Sequence, residues 1–248
     1  MPFFGHFEID IVSALAEQLV DALDQLEQGA LTDVNIQQVP PKRGVYQLFY
    51  QGVLVYVGKA DNLRTRLQEH RRKILGRRNI DVSDMSFKCL TVHRNWTALA
   101  PEGSLITHYQ GLGFCAWNGI SFGPHDPGRE RETTNKPPEG FDAQYPIRED
   151  WLCTGIAAGQ YNVRGLLKAM KNELPFLLRY VGSQTGGHPD YKDLTITVPQ
   201  SGMSAEELLR LVTQNLPPGW QATRFQSHMI LYKESTGYTH GIKIWPPQ

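Results

Sequence analysis

Apolar residues near the start of the chain recur at steps of three and four: Ile9, Val12, Leu15, Leu19, Leu23 and Leu26. That period predicts an amphipathic helix over 9–28, with Gly29 as its stop. The pattern then changes. Residues 45–50 and 53–57 are short β-branched and aromatic runs around Gln51-Gly52, which predicts a hairpin. Asp61 or Asn62 is placed to cap a helix that ends before Gly76. Residues 85–92 read as a third strand. Residues 98–111 read as a helix around Glu102, with Leu105, Ile106 and Tyr109 on its inner side. Pro124, Pro127, Pro137, Pro138 and Pro146 then break 124–150 into a long irregular segment, of the kind that is usually functional or disordered.

Past this segment the periodicity returns. Residues 163–180 read as a helix that Pro175 must end or kink. Residues 194–198 alternate as a strand, and 204–216 form a helix capped by Ser204 with Glu206 and Glu207 in its first turn. Residues 221–232 and 241–245 read as two more strands. The predicted fold is α+β: a small antiparallel sheet flanked by helices, then a C-terminal α+β module. Three segments follow, an N-terminal helical one (1–40), a core with the irregular loop (41–155) and an accessory module (160–248).

With 248 residues, 40% of them hydrophobic, the chain can bury one large core or two small ones. A formal net charge of zero argues at first against a nucleic-acid partner, but the distribution argues for one. Residues 1–40 hold no Lys or Arg and seven acids. Residues 59–78 hold eight bases (Lys59, Arg64, Arg66, Arg71, Arg72, Lys73, Arg77, Arg78) against Asp61 and Glu69. A local charge of +6 over that stretch is an electrostatic footprint for phosphates. Arg164, Lys168 and Lys171 make a second basic stripe, readable as phosphate contacts or as a solvated helix face. Cys89, Cys115 and Cys153 show no pairing pattern, which suggests reduced thiols and a cytoplasmic setting. No apolar run reaches a membrane span and no signal peptide is read, so no membrane partner is expected.

The chemistry concentrates between Gly44 and His70. Tyr46 and Tyr56 sit on the two hairpin strands, Lys59 follows the second, and Arg66 and His70 are four apart on one helix face. Such a set can orient, protonate and neutralise a phosphodiester. Glu102 is a natural ligand for a divalent cation, since Mg²⁺ accepts a single carboxylate plus water and phosphate oxygens. Arg66 would stabilise developing phosphate charge with a planar fork of donors. His70 would hold the attacking group or a phosphate oxygen. Tyr46 would take or relay the water's proton, with nearby cations lowering its pKa. In isolation each of these residues reads as ordinary structure; their convergence is what favours function.

Gly44-Val45-Tyr46 and Tyr56-Val57-Gly58, with Arg66, His70 and Glu102 downstream, resemble the GIY-YIG nuclease superfamily. Trp117-Asn118-Gly119, Phe122-Gly123 and the run from His125 to Arg129 resemble its type II restriction endonuclease branch. The resemblance covers roughly residues 8–150. It implies a type II site-specific deoxyribonuclease acting on double-stranded DNA, with Mg²⁺ as cofactor and Mn²⁺ able to substitute. A palindromic site would demand a homodimer. The implied catalytic residues are Tyr46, Tyr56, Lys59, Arg66, His70, Glu102 (also the metal ligand) and Asn118, which closes the site. DNA contacts are expected from Arg64, Arg71, Arg72, Lys73, His125, Arg129 and Arg131, the last two as readers of guanine edges. The competing readings are a structure-selective or repair nuclease and a non-cutting DNA-binding module that kept the fold.

Overall fold

A computed structural model describes residues 3, 10–93, 102–119, 122, 128–134, 138–183 and 186–246. The chain divides into two compact units: Met1–Arg72 with Asp81–Gly123, and Lys73–Ile80 with Pro124–Gln248. Composition alone drew the division elsewhere, at 155–160. Segment 124–150 groups with the C-terminal residues, with Ile147 in their apolar core, its amide donating to Gln226 O at 2.9 Å, and buried Glu132 accepting from Arg179 at 2.8 Å.

In the first unit, helix α1 (Ile11–Asp24) starts where Asp10 accepts from the Ser13 amide and buries Leu19 and Leu23. Strand β1 (Gly29–Ala30) and helix α2 (Asp33–Gln38), capped by Thr32, follow it. The expected hairpin forms as β2 (Gly44–Tyr50) and β3 (Val53–Ala60). Gln51 and Gly52 both take positive φ, 50° and 80°, the turn whose twist matches the flanking strands. Helix α3 (Leu63–Leu75) begins at Asn62, whose side chain accepts from the Thr65 amide at 3.1 Å. Strand β4 (Met85–Thr91) closes the sheet, with antiparallel order β1-β4-β2-β3. Helix α4 (Glu102–Gly111) starts at Glu102, the residues before it lying outside the described ones. Leu19, Leu23, Val45, Phe49, Leu54, Val57, Leu105 and Tyr109 form one apolar cluster, which fixes α1 and α4 on the sheet.

The second unit opens with two four-residue helices, α5 (Glu130–Thr133) and α6 (Phe141–Gln144). Strand β5 (Gly159–Asn162) leads into α7 (Val163–Glu173), which exposes Arg164, Lys168 and Lys171. The expected helix over 163–180 is corrected here. Leu174, held extended before Pro175 (φ −65°, ψ 135°), ends it, because the proline ring clashes with a helical predecessor. Strand β6 (Leu177–Tyr180) takes over. Strand β7 (Thr195–Val198) pairs with β5, and α8 (Ala205–Asn215) carries a full capping box from Ser204 and Glu207. The single strand expected over 221–232 is two, β8 (Trp220–Arg224) and β9 (His228–Lys233), closed by the Phe225 amide donating to His228 O at 2.8 Å. With β10 (Ile242–Trp245) they form a sheet of order β10-β8-β9-β6, in which β6 runs parallel to β9. No helix among the described residues is long and apolar enough to cross a membrane.

Candidate active site

Strand alternation decides which side chains meet. Tyr46 pairs with Gly58, and Leu48 with Tyr56, so the two tyrosines lie diagonally on one face of the hairpin. Their ring centroids are 6.0 Å apart. A Cβ at position 58 would stand 2.6 Å from the Tyr46 hydroxyl oxygen and 2.8 Å from the Tyr56 ring. Glycine is therefore required there because the Tyr46 ring lies across it. Helix α3 presents buried His70 to the same face, and His70 Nε2 shares a hydrogen bond with Tyr46 Oη at 2.7 Å.

Lys59 follows Gly58 on the opposite face, where its Nζ stands 3.2 Å from Glu102 Oε2. Glu102 is the first residue of α4, a position that the helix dipole favours for a carboxylate. Arg66 donates to Glu69 Oε2 at 2.6 Å, one turn along α3. Its positive charge also acts on both phenols, as does the negative charge of Glu102. Tyr46, Tyr56 and His70 thus meet on one face of the hairpin, Lys59 pairs with Glu102, and the charges of Arg66 and Glu102 reach both phenols.

Burial sets the protonation of the phenols. It pushes the Tyr46 pKa well above the ordinary tyrosine value, neighbouring Tyr56 pushes the same way, and Arg66 only partly opposes them. Burial likewise raises Tyr56. The expectation that cations lower Tyr46 is corrected: loss of solvation outweighs the guanidinium. Tyr46 is a protonated phenol at neutral pH.

Asn118 is tied to the backbone of β3. Its side-chain amide accepts from Val57 N at 2.9 Å and donates to Val57 O at 2.8 Å. Strand β3 is an edge of its sheet. Cys115 N donates to Leu54 O and Trp117 N to Val55 O, so segment 115–118 covers that edge and Asn118 completes the cover. Asn118 therefore fixes the strand between Tyr56 and Gly58.

The expected DNA contacts are dispersed. Arg64 donates to Val39 O at 2.9 Å, Arg71 pairs with Asp33 at 3.1 Å, and Arg72 is exposed on α3. Within the second unit, Lys73 lies over the Phe141 ring at 5.2 Å. Arg129 pairs with Glu234 at 2.6 Å and caps the Tyr232 ring, while Arg131 pairs with buried Asp142 at 2.8 Å. Buried Arg77 and the Arg78 pair with Glu149 take two further bases out of the +6 footprint. His125 lies outside the described residues. Phe122, quoted in the sequence only as part of a motif and given no role, stacks flat on His70 with centroids 4.9 Å apart. A lone aromatic in a glycine-rich stretch gives no periodic signal of that contact.

Residues 54–150 match the family described as the Eco29kI GIY-YIG domain. The resemblance to the GIY-YIG superfamily is borne out. No curated protein matches the chain. Among solved structures, the GIY-YIG N-terminal endonuclease domain of UvrC from Thermotoga maritima, bound to its catalytic magnesium, is 25% identical. That alignment covers 31% of this chain and 88% of the other, with a TM-score of 0.25. A point mutant of the same domain, bound to its divalent cation, is 28% identical over 31% of this chain and 87% of its own, with a TM-score of 0.24.

Proposed function

We propose that the protein is a divalent-metal-dependent endonuclease that hydrolyses duplex DNA at a specific site, as a type II restriction enzyme does. The observation that carries this reading is the 2.7 Å hydrogen bond from Tyr46 to His70, set beside Arg66 and Glu102. The Eco29kI match over residues 54–150 supports a nuclease and is what favours the restriction branch in this reading.

Glu102 fits a cation. Its carboxylate is partly open, and among the described residues no group of three or more His, Cys, Asp or Glu competes with it. Mg²⁺ suits such a site because it keeps waters and takes substrate phosphate oxygens alongside one carboxylate. When bound, it supplies charge neutralisation and makes water more acidic. Mn²⁺ would substitute with similar ligands.

The chain's own residues do the rest. Arg66 exchanges Glu69 for a phosphate oxygen and opposes the charge that builds in the in-line displacement. Lys59 holds the Glu102 carboxylate and adds a second positive charge. A buried, protonated Tyr46 is no free base, so it works as a relay. As its oxygen takes a proton from the attacking water, its own hydroxyl proton passes to His70 Nε2. Tyr56, packed against both rings, holds the pair in register.

Two strands cut at a palindrome require two active sites, so the cleaving species is a homodimer on DNA. The test is incubation with plasmid DNA and Mg²⁺, with sequencing of the fragment ends. Ends clustered at one short sequence support the reading. Ends clustered at branches or lesions favour a repair nuclease, and no cleavage overturns it.

A further inference from the structure

Phe122 has no role in the relay just described, yet it stacks on the histidine of that relay. Its side chain is 1% exposed. It lies parallel to the His70 imidazole, with an interplanar angle of 10° and centroids 4.9 Å apart. Tyr56 meets it edge-on at 5.0 Å, and Trp117 stands against it at 4.9 Å. Trp117 is itself tied to β3 through its backbone. Phe122 thus walls one face of the imidazole, and the two phenols also pack on it, Tyr46 at 5.3 Å and Tyr56 at 5.6 Å between centroids.

The outer side-chain torsion of histidine is broad and roughly two-fold. Rotation about it would carry Nε2 away from Tyr46 and bring a carbon edge in its place. A flat ring stacked on the imidazole opposes that rotation, because turning drives the imidazole edge into the ring face. A merely space-filling aliphatic group in the same cavity would not. We propose that Phe122 is a positioning residue for strand cleavage. It keeps the His70 imidazole in the plane from which Nε2 engages Tyr46 Oη. The proposal rests on the nuclease reading above, and it differs from a packing role in requiring planarity at position 122.

The experiment compares Phe122→Leu and Phe122→Met, which fill the cavity without a flat face, with Phe122→Tyr, which keeps one. Long-range ¹H–¹⁵N spectra of the full-length protein without DNA report the His70 tautomer. Wild type and Phe122→Tyr should show one tautomer; the aliphatic variants should show averaged shifts. In plasmid cleavage with Mg²⁺, kcat should fall at least about tenfold in both aliphatic variants with KM within about twofold, and recover in the tyrosine variant. Unchanged His70 signals in a folded aliphatic variant would overturn the proposal. So would an equal loss of kcat in the tyrosine and aliphatic variants. A wild-type protein that cuts no DNA overturns the nuclease reading and the catalytic half of this proposal with it. The spectra decide the geometric half independently.

Discussion

The Tyr46 hydroxyl and His70 Nε2, 24 residues apart in sequence, stand 2.7 Å apart with both residues buried. Because burial holds the phenol protonated, the proposed relay needs His70 to take the proton that Tyr46 gives up. Tyr46→Phe and His70→Gln should each lower kcat by about 10²–10⁴-fold, the usual worth of positioned proton transfer. The double variant should be close to the worse single one, since the two act as one unit. Single-turnover cleavage of a plasmid substrate measures this. Additive losses would show that the residues act separately.

Glu102→Ala should abolish cleavage and leave DNA binding largely intact, because in the proposed role the carboxylate holds a cation and not the phosphates. EDTA should reproduce the loss in wild type. A variant that retains more than about a tenth of the rate, a margin of roughly 1.4 kcal/mol of barrier, would remove Glu102 from the metal role.

Arg66→Lys should fail almost as completely. A single ammonium cannot reproduce the planar donor fork across two phosphate oxygens. Near-normal turnover by this variant would mean that only charge matters at this position.

The motif residues were legible in the sequence because strand alternation and helical spacing translate directly into faces. Tyr46 and Tyr56 share a side, and Arg66 and His70 share another. The stacking of Phe122 on His70 and the backbone role of Asn118 were not legible, since each depends on which segment covers the β3 edge, a long-range pairing that no local period encodes. Pro175 announced a helix end but not the strand after it. An apolar run such as Phe176-Leu177-Leu178 suits a helix interior as well as a strand. The hairpin at Phe225 was hidden for a related reason, as its turn uses neither glycine nor proline. Arg77 misled by its charge: counted into a surface footprint, it is buried on Asp142, and the pair follows from a fold contact 65 residues away.

The phenols also set an alkaline limit. Burial pushes Tyr109 and Tyr238 up to about 12, and raises Tyr46 further. An unfolded tyrosine titrates near ~10, so above that pH the unfolded chain binds fewer protons than the native one and stability must fall. This contribution is fully present below about pH 10 and is lost as pH rises through the folded-state values. Denaturant midpoints measured with phenolate absorbance should be level up to about pH 10 and decline beyond it. Ordinary phenolate titration with no change in midpoint would show that these rings are solvated. The cleavage rate should gain nothing over the same range, because Tyr46 does not ionise in it.

Asn118 separates structural from chemical roles within the site. Its amide makes two hydrogen bonds to Val57, a fully buried residue, and both are lost in Asn118→Ala. Leaving a buried backbone N–H and C=O without partners costs about 1–3 kcal/mol each. The loss falls on the residue between Tyr56 and Gly58, so the strand edge should loosen where the phenols are seated. Asn118→Ala should therefore lower Tm and kcat together, whereas Glu102→Ala should lower kcat at nearly constant Tm. Asn118→Asp should be worse, because a carboxylate oxygen would replace the donor that faces Val57 O. Hydrogen exchange at the Val57 amide gives the direct readout, with faster exchange expected in both variants. Wild-type exchange and Tm accompanied by lost cleavage would instead assign Asn118 to the chemistry, as the resemblance to the restriction branch implies.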